Sequence, residues 1–242
     1  MIDVSDYLLW FFIYSFLGWV WETTYCSILE GRFINRGFLN GPIIPIYGCG
    51  AVLVMLAAEI GGMVFPADMP ALNIPTVFFG GMILCTVLEY ITAVILETLF
   101  HIRWWDYSTE RFNFQGRICL KSALFFGLLS VLIVTVIHPL ISGATDGIPN
   151  LVKYALILGF AAGILVDIGI TLVSLLHVNE RLEELQKMLE EARDTAVENV
   201  KEAVEKQRYQ VRRLAKAFPT SKSLMHGEAW EMVKRRLIKK RE

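Results

Sequence analysis

Signatures of nucleotide hydrolysis and of metal chemistry are missing from this 242-residue sequence. It has no GxxxxGK(S/T) phosphate loop, which excludes ATP hydrolysis by a P-loop mechanism, and no GxSxG, HExxH or GxGxxG motif. Its four cysteines form no CxxC pair, and His101 with Asp106 offers too few metal ligands at a recognisable spacing. We therefore predict no cofactor and no metal site, and we assign no catalytic residue.

Lysine and arginine are absent from every second connector between the apolar stretches. Connectors 63–74 and 142–150 carry none, whereas 30–41 carries two. Connector 100–117 carries three. Of all 23 basic residues, Lys153 alone falls on the same side as the two connectors that lack lysine and arginine. The positive-inside rule then places the N-terminus outside and both basic connectors and the C-terminus in the cytoplasm. Each apolar stretch has about the twenty residues that span a bilayer. The stretches cover roughly residues 7–29, 42–62, 75–99, 118–141 and 151–176.

The sequence predicts an all-α fold, a polytopic membrane helix bundle with about five transmembrane helices and a long cytoplasmic C-terminal helix. Hydrophobic residues make up 55% of the chain and the formal net charge is −1, a composition typical of a multi-pass membrane protein. We divide the chain into a transmembrane helical domain over 1–177, a cytoplasmic coiled-coil-like helix over 178–218 and a basic tail over 219–242.

The C-terminal quarter repeats hydrophobic residues in a heptad pattern. One seam runs from Leu175 to Ala196 and a second from Val197 to Phe218, with charged residues interleaved. One interpretation is a coiled-coil stalk that joins copies of the chain into a homo-oligomer. The other is an amphipathic helix that folds back on the cytoplasmic face. The basic tail either contacts anionic lipid headgroups or is an unstructured, solubilising segment.

Prolines and glycines interrupt the start of the second apolar stretch. Pro42 and Pro45 remove backbone donors, and several glycines lie between positions 37 and 50. One interpretation is a broken or re-entrant backbone that lines a polar cavity. The alternative is a proline-started span whose glycines allow close helix packing.

Ionisable side chains inside apolar stretches are costly in a bilayer, so each is a candidate functional residue. Glu22 lies in the first stretch, and Glu89 and Glu97 share one face of the third. Because the basic connectors meet the cytoplasmic ends of these helices, we expect carboxylate–guanidinium pairs there. Such pairs either lock the bundle or form a polar pocket in which arginine binds a phosphate or carboxylate. The predicted substrate-binding residues are Glu22, Arg36, Asn40, Glu89, Glu97, Arg103, Asp106, Asn113 and Arg117.

Two further ionisable residues of the apolar stretches favour structural roles. Asp167 follows Gly159 and Gly163 at four-residue spacing, a pattern that indicates close helix contact ahead of chemistry. His138 precedes Pro139, and we interpret it as a helix-end residue in preference to a proton relay.

Several short blocks of the sequence resemble a known bacterial family. They are Tyr14-Ser15-Phe16-Leu17-Gly18-Trp19 with Glu22, Arg36-Gly37-Phe38-Leu39-Asn40-Gly41-Pro42 running into Pro45-Ile46-Tyr47-Gly48-Cys49-Gly50, Leu88-Glu89-Tyr90 with Glu97, Trp104-Trp105-Asp106-Tyr107-Ser108, Phe112-Asn113 and Gly116-Arg117-Ile118. Over roughly residues 7–140 the chain resembles the bacterial membrane family named ABC-transporter type IV, or CmpB-like. The resemblance implies a multi-pass protein of the bacterial cytoplasmic membrane, a transport permease that works with a separate ATPase subunit.

Three functions are compatible with the sequence, in the following order. The first is an ABC-type permease component that lacks its own ATPase and has a polar pocket near the cytoplasmic leaflet. The second is a membrane scaffold or anchor that acts through its cytoplasmic helix. The third, less favoured, is a membrane-embedded enzyme whose carboxylates and arginines act on a lipid-linked substrate. The partners expected are the lipid bilayer, an ATPase subunit and further copies of the chain, and nucleic acid is not among them.

Overall fold

The computed structural model describes residues 3–64, 70–191 and 209–239, and the described chain is mostly helical. In chain order the helices are α1 (Val4–Glu30), α2 (Pro45–Val64), α3 (Pro70–Phe100), α4 (Leu120–Leu132), a π-helical turn (Ile133–Ile137), α5 (His138–Thr145), α6 (Asn150–Glu191), α7 (Tyr209–Ala217) and α8 (Gly227–Lys239). Four two-residue strands accompany them: β1 (Ile102–Arg103), β2 (Asn113–Phe114), β3 (Ile118–Cys119) and β4 (Lys222–Ser223). Strand β1 pairs antiparallel with β4, and β2 pairs antiparallel with β3.

Four helical segments among the described residues are long and apolar enough to cross a membrane, and each coincides with a predicted span. Helix α2 overlaps the remaining predicted span, 42–62, and its crossing of the membrane stays a prediction. It begins at Pro45 and continues through Gly48 and Gly50, as the proline-started alternative expects. The four segments are Val4–Glu30, Ile74–Phe100, Leu120–Thr145 and Asn150–Leu175.

The chain divides into two compact units, each assembled from segments that are far apart in sequence. The first unit comprises Met1–Trp21, Pro42–Thr92 and Tyr107–Ile164, and the second comprises Glu22–Gly41, Ala93–Asp106 and Leu165–Glu242. Helices α1, α3 and α6 each contribute residues to both units. The predicted division into three continuous domains stays a prediction.

Close helix contacts in the first unit depend on glycine. A Cβ atom added at Gly48 of α2 would overlap Ser15 of α1, and one added at Gly81 of α3 would overlap Ser130 of α4. Lipid tails are as apolar as leucine, so helices in a bilayer associate through such close packing more than through the hydrophobic effect. These two glycines therefore determine how closely α1 packs on α2 and α3 on α4.

We expect Gly81→Ala to lower the apparent melting temperature in detergent, because the added methyl group meets the Ser130 side chain and overpacking costs about 1–3 kcal/mol. The neighbouring Gly80 is a matched control, since a Cβ there meets no described atom within 4 Å. Gly80→Ala should leave stability unchanged or raise it by up to about 1 kcal/mol. Equal melting temperatures for the two variants would contradict the close approach of α3 to α4.

The core of the second unit includes residues from both predicted heptad seams. Leu182 of α6 and Leu214 of α7 are each 1% exposed, and they share one buried cluster with Trp230 of α8 and with side chains from 100–104. At these positions the contacts favour the fold-back alternative over a freestanding stalk. Residues 192–208 lie outside the described residues, so the continuous helix over 178–218 and the homo-oligomer through it stay predictions.

The basic tail contains folded elements, β4 and α8. Lys234 of α8 is 6% exposed, and its Nζ donates hydrogen bonds to the Ser221 carbonyl at 2.6 Å and to the Pro219 carbonyl at 3.2 Å. A lysine with its amine directed inward onto backbone carbonyls serves packing instead of solubility. The unstructured alternative therefore does not apply to residues 222–239, and contact with lipid headgroups stays a prediction.

Candidate functional site

The first expected carboxylate–guanidinium pair is present in the second unit. Arg36 Nε lies 3.2 Å from Glu22 Oε2, and the Arg36 backbone N–H donates to Thr23 Oγ1 at 3.3 Å. The connector after α1 therefore turns back onto the last turns of that helix. The Arg36 guanidinium also lies 4.6 Å from the centre of the Phe218 ring, within the range of a cation–π contact. Arg36 thus has a carboxylate and an aromatic ring as neighbours.

The second pair extends into a chain of four charged residues. Arg103 Nε lies 2.8 Å from Glu97 Oε1, and Arg103 Nη1 lies 3.8 Å from Asp106 Oδ1. Lys222 Nζ approaches Asp106 Oδ2 to 2.5 Å. The Glu97 and Asp106 side chains are 6% and 7% exposed, so both carboxylates are buried. This series of contacts therefore places two buried carboxylates, Glu97 and Asp106, beside two cations, Arg103 and Lys222, at the end of α3.

Local backbone geometry explains how these four residues meet. The N–H of His101 donates to the Glu97 carbonyl at 2.9 Å, and His101 itself has φ 54°, the left-handed conformation that ends a helix and reverses the chain. Strand β1 then brings Arg103 back toward Glu97. The register of β1 with β4 places Arg103 opposite Lys222, so the two cations flank Asp106. Sequence reasoning missed the contact of Lys222 with Asp106, because 116 residues separate the two.

Asn40, another predicted site residue, is hydrogen-bonded to Asp167 of α6. Asp167 Oδ1 accepts from the Asn40 backbone N–H at 3.0 Å and from Asn40 Nδ2 at 2.8 Å, and Oδ2 accepts from the Gly41 N–H at 2.7 Å. Among the described residues the glycine pattern before Asp167 makes no close helix contact, since a Cβ at Gly159 or Gly163 meets no described atom within 4 Å. Asp167 instead binds the connector between α1 and α2. Its position within an apolar stretch was the signal for this role.

Glu89 lies in the first unit and is 7% exposed. Its Oε1 accepts a hydrogen bond from the Tyr107 hydroxyl at 3.1 Å, and its Oε2 accepts from Ser122 Oγ at 3.3 Å. Tyr107 precedes the β2–β3 hairpin, and Ser122 lies in the first turn of α4, the helix after it. The buried carboxylate therefore connects α3 with both ends of the hairpin.

Asn113 and Arg117 lie on the β2–β3 hairpin itself. Asn113 Nδ2 donates to the Glu110 carbonyl at 2.8 Å, and Asn113 Oδ1 accepts from the Gly116 N–H at 3.0 Å. These bonds close a turn in which Gly116 has φ 68°. Arg117 hydrogen-bonds to Gln115, and its guanidinium lies 5.8 Å from the centre of the Tyr90 ring. These contacts indicate that Asn113 stabilises the turn of this hairpin.

The nine predicted site residues are divided between the two units. Those of the second unit are Glu22, Arg36, Asn40, Glu97, Arg103 and Asp106, and those of the first are Glu89, Asn113 and Arg117. The contacts in the second unit join Glu22 with Arg36, and Arg103 with Glu97 and Asp106. Because each of these arginines already contacts a carboxylate, an anionic ligand would have to displace a side chain of the protein to bind it. Substrate binding by the nine residues stays a prediction.

We expect Arg103→Gln to destabilise the protein by about 2–3 kcal/mol, because it removes the guanidinium at the buried Glu97 carboxylate. Fully buried pairs lose 3–5 kcal/mol on loss of one partner, and the 21% exposure of Arg103 reduces that value. Arg32 is a matched control, since its contact with Glu30 is longer, 3.6 Å, and the side chains are 39% and 34% exposed. Arg32→Gln should change stability by less than about 0.5 kcal/mol. Similar melting temperatures for the two variants would show that the Glu97 pair is solvated.

The four apolar helical segments define a multi-pass helical membrane protein, in which α1 and α3 each carry an ion-paired glutamate. The chain belongs to the family described as "Putative ABC-transporter type IV", whose family model matches residues 9–172. No curated protein and no solved structure matches the chain. The family match extends from α1 into α6, farther than the resemblance over 7–140, and ends before α7 and α8.

Proposed function

We propose that this protein is the membrane permease component of an ABC-type transporter and that a separate chain supplies the ATPase. Family membership and the apolar helices support this role, and the sequence has no P-loop of its own. We propose five crossings of the bacterial cytoplasmic membrane, with the N-terminus outside and the basic connectors and C-terminus in the cytoplasm.

The observation that carries this proposal is the set of ion pairs in the second unit, which consists of the Glu22–Arg36 pair and the separate contact series Glu97–Arg103–Asp106–Lys222; together we call these six residues the charged cluster. Ionisable groups inside an apolar stretch, such as Glu22 and Glu97, are costly in a bilayer and mark a candidate pathway for a polar solute. The cluster has three acidic and three basic members and is formally neutral. A zwitterionic or uncharged polar solute therefore fits the cluster better than a polyanion, because such a solute can replace an ion-pair partner without adding net charge to the site.

We include the other predicted residues in the proposed polar site with separate roles. Asn40 contributes through Asp167, which holds the connector that carries Arg36. Glu89, Asn113 and Arg117 belong to the first unit and contribute through the hairpin after α3. Their proposed part in substrate binding rests on their positions in the short sequence blocks that resemble the family.

The C-terminal elements supply the mechanical connection that a separate ATPase needs. Arg213 of α7 is buried, and its guanidinium donates to the Gly37 carbonyl at 2.6 Å and to the Phe38 carbonyl at 2.7 Å. Lys222 of β4 binds Asp106 directly. A displacement of α7 and β4 would therefore move the backbone beside Arg36 and the partner of Asp106 together. We propose that the ATPase subunit acts on the cluster through these elements.

Affinity purification from crosslinked native membranes tests the proposal. We expect a chain with a P-loop signature to co-purify in fixed proportion and the eluate to hydrolyse ATP. Lys222→Gln should lower the hydrolysis rate, because it uncouples β4 from Asp106. Lys121→Gln, which alters an exposed lysine 3.7 Å from Glu110, should leave the rate unchanged. Intact tagged protein without any P-loop chain in the eluate would contradict the proposal.

A scaffold function is the second candidate, and one observation favours it: the folded elements α7 and α8 lie beyond the family match. The double variant Glu22→Gln, Arg36→Gln separates the two functions, because it removes a pair from the cluster without leaving one charge behind. A scaffold predicts that this variant restores a deletion strain to wild-type behaviour. A permease predicts that it fails to do so at equal expression.

A further inference from the structure

Two buried polar atoms of the first unit lack a hydrogen-bond partner among the described residues. They are the hydroxyl oxygen of Tyr14 in α1 and Nδ1 of His138 at the start of α5. Tyr14 is only 4% exposed. A polar atom buried without a partner is costly in any protein, and more so in a helix bundle whose surroundings are lipid. Such atoms therefore require an explanation.

Neighbouring side chains hold both rings in place. The His138 ring meets the Trp10 ring edge-on, with centroids 4.5 Å apart, and its centroid lies 6.5 Å from that of Tyr14. Trp10 is fixed in turn, since its Nε1 donates to Thr145 Oγ1 at 3.1 Å. Trp10 and Tyr14 also belong to one buried cluster with Met55. The Tyr14 ring cannot turn its hydroxyl outward without disturbing this packing.

The backbone before His138 is specialised. The π-helical turn Ile133–Ile137 ends immediately before this residue, and the His138 N–H donates to the Ile133 carbonyl, five residues back. Compared with a continuous α-helix, one inserted residue rotates every following side chain by about 100° around the axis. Such turns are uncommon and occur frequently at functional sites. The turn thus sets the direction of the His138 ring toward α1.

We propose that Tyr14 and His138 form an intramembrane binding site for an uncharged hydroxyl group. The tyrosine hydroxyl donates a hydrogen bond, and Nδ1 of a neutral histidine accepts one. An oxygen atom that carries hydrogen satisfies both when it lies within hydrogen-bond distance of each atom, and two such bonds in series span at most about 5.6 Å. The apolar neighbours Met55 and Ile133 exclude a charged guest. The hydroxyl belongs to a water molecule or to a membrane lipid, and the site does not depend on the permease proposal.

Tyr14→Phe tests the site because it removes the hydroxyl alone. With a guest bound, the variant loses one hydrogen bond and weakens the guest's bond to His138, and we expect an apparent melting temperature about 3 °C lower. Without a guest the sign is opposite, because deletion of a buried unpaired hydroxyl relieves its desolvation cost. Tyr25→Phe, at a 58% exposed position of the same helix, should leave the melting temperature unchanged.

A double-mutant cycle shows whether the two residues act through one guest. His138→Phe removes the acceptor, whereas His138→Asn keeps a polar atom near the position of Nδ1 and should retain more stability. We expect the Tyr14→Phe, His138→Phe double variant to lose less than the sum of the single losses. The cycle is measured in lipid-free detergent and in native lipid extract. A lower melting temperature for Tyr14→Phe in both media identifies water as the guest. A lower melting temperature in lipid extract alone identifies a lipid hydroxyl. An unchanged or higher melting temperature for Tyr14→Phe in both media overturns the proposal.

Discussion

Replacing Trp230 with alanine is expected to lower stability by about 3–5 kcal/mol, the largest effect of any single change considered for this protein. The indole is 1% exposed in the core of the second unit, and its Nε1 donates to the Ser221 carbonyl and to Ser221 Oγ, each at 3.2 Å. Alanine leaves a cavity, and it also leaves Ser221 without the indole donor. The loss should appear as a lower apparent melting temperature and as faster tryptic cleavage within α7 and α8.

Leu224 provides the control for this variant. It lies in the same C-terminal segment but is 55% exposed, so Leu224→Ala removes a large apolar side chain without opening a cavity. Its melting temperature should stay close to that of the wild type. If Trp230→Ala behaved like Leu224→Ala, the C-terminal segment would not be packed against 100–104, and the mechanical connection to Asp106 would be lost from the proposal.

Asp167→Ala is expected to be nearly as damaging, at about 3 kcal/mol. The carboxylate accepts from the backbone N–H groups of Asn40 and Gly41 and from the Asn40 side chain, and hydrogen bonds to a charged group are stronger than neutral ones. Alanine removes the acceptor from these three donors and from Thr171 Oγ1, which donates to Asp167 Oδ1 at 3.3 Å. We also expect a loss of function beyond the loss of stability, because the connector that carries Arg36 is released from α6.

Asp167→Asn should give an intermediate result, because the amide keeps one acceptor oxygen and places a donor against one of the N–H groups. Glu183→Gln serves as the control on the same helix, since Glu183 is exposed and contacts Lys187 only at the surface, at 2.8 Å. It should be indistinguishable from the wild type. Wild-type stability of Asp167→Ala would show that the connector is held by other contacts.

Sequence reasoning anticipated those features that have a local or topological cause. Twenty-residue apolar stretches identified four helices directly, because burial in lipid requires that length and composition. Glu22 with Arg36 and Glu97 with Arg103 are separated by 14 and 6 residues. The predicted topology placed these acids near the basic connectors, so carboxylate–guanidinium pairs were expected there, but it did not assign an arginine to each acid.

Features that depend on distant chain segments could not be derived in this way. The heptad pattern of the C-terminal quarter is equally consistent with a stalk and with a folded-back helix, and the choice depends on where Leu214 and Trp230 find a complementary surface. Lys222 reaches Asp106 through a two-residue strand too short to leave a sequence pattern. The direction of His138 depends on a π-helical turn, which the hydrophobic periodicity does not reveal.

The most direct test of the central claim is ATP-driven solute movement in proteoliposomes. The protein, co-purified with its ATPase, is reconstituted in liposomes loaded with a native metabolite extract, and solutes on both sides are quantified by mass spectrometry after addition of ATP. We predict that at least one polar solute changes its distribution with ATP but not with a non-hydrolysable analogue, and that the Glu22→Gln, Arg36→Gln variant abolishes the change. An ATP-hydrolysing complex that redistributes no solute, or one whose transport is unaffected by the variant, would contradict a permease that acts through this cluster.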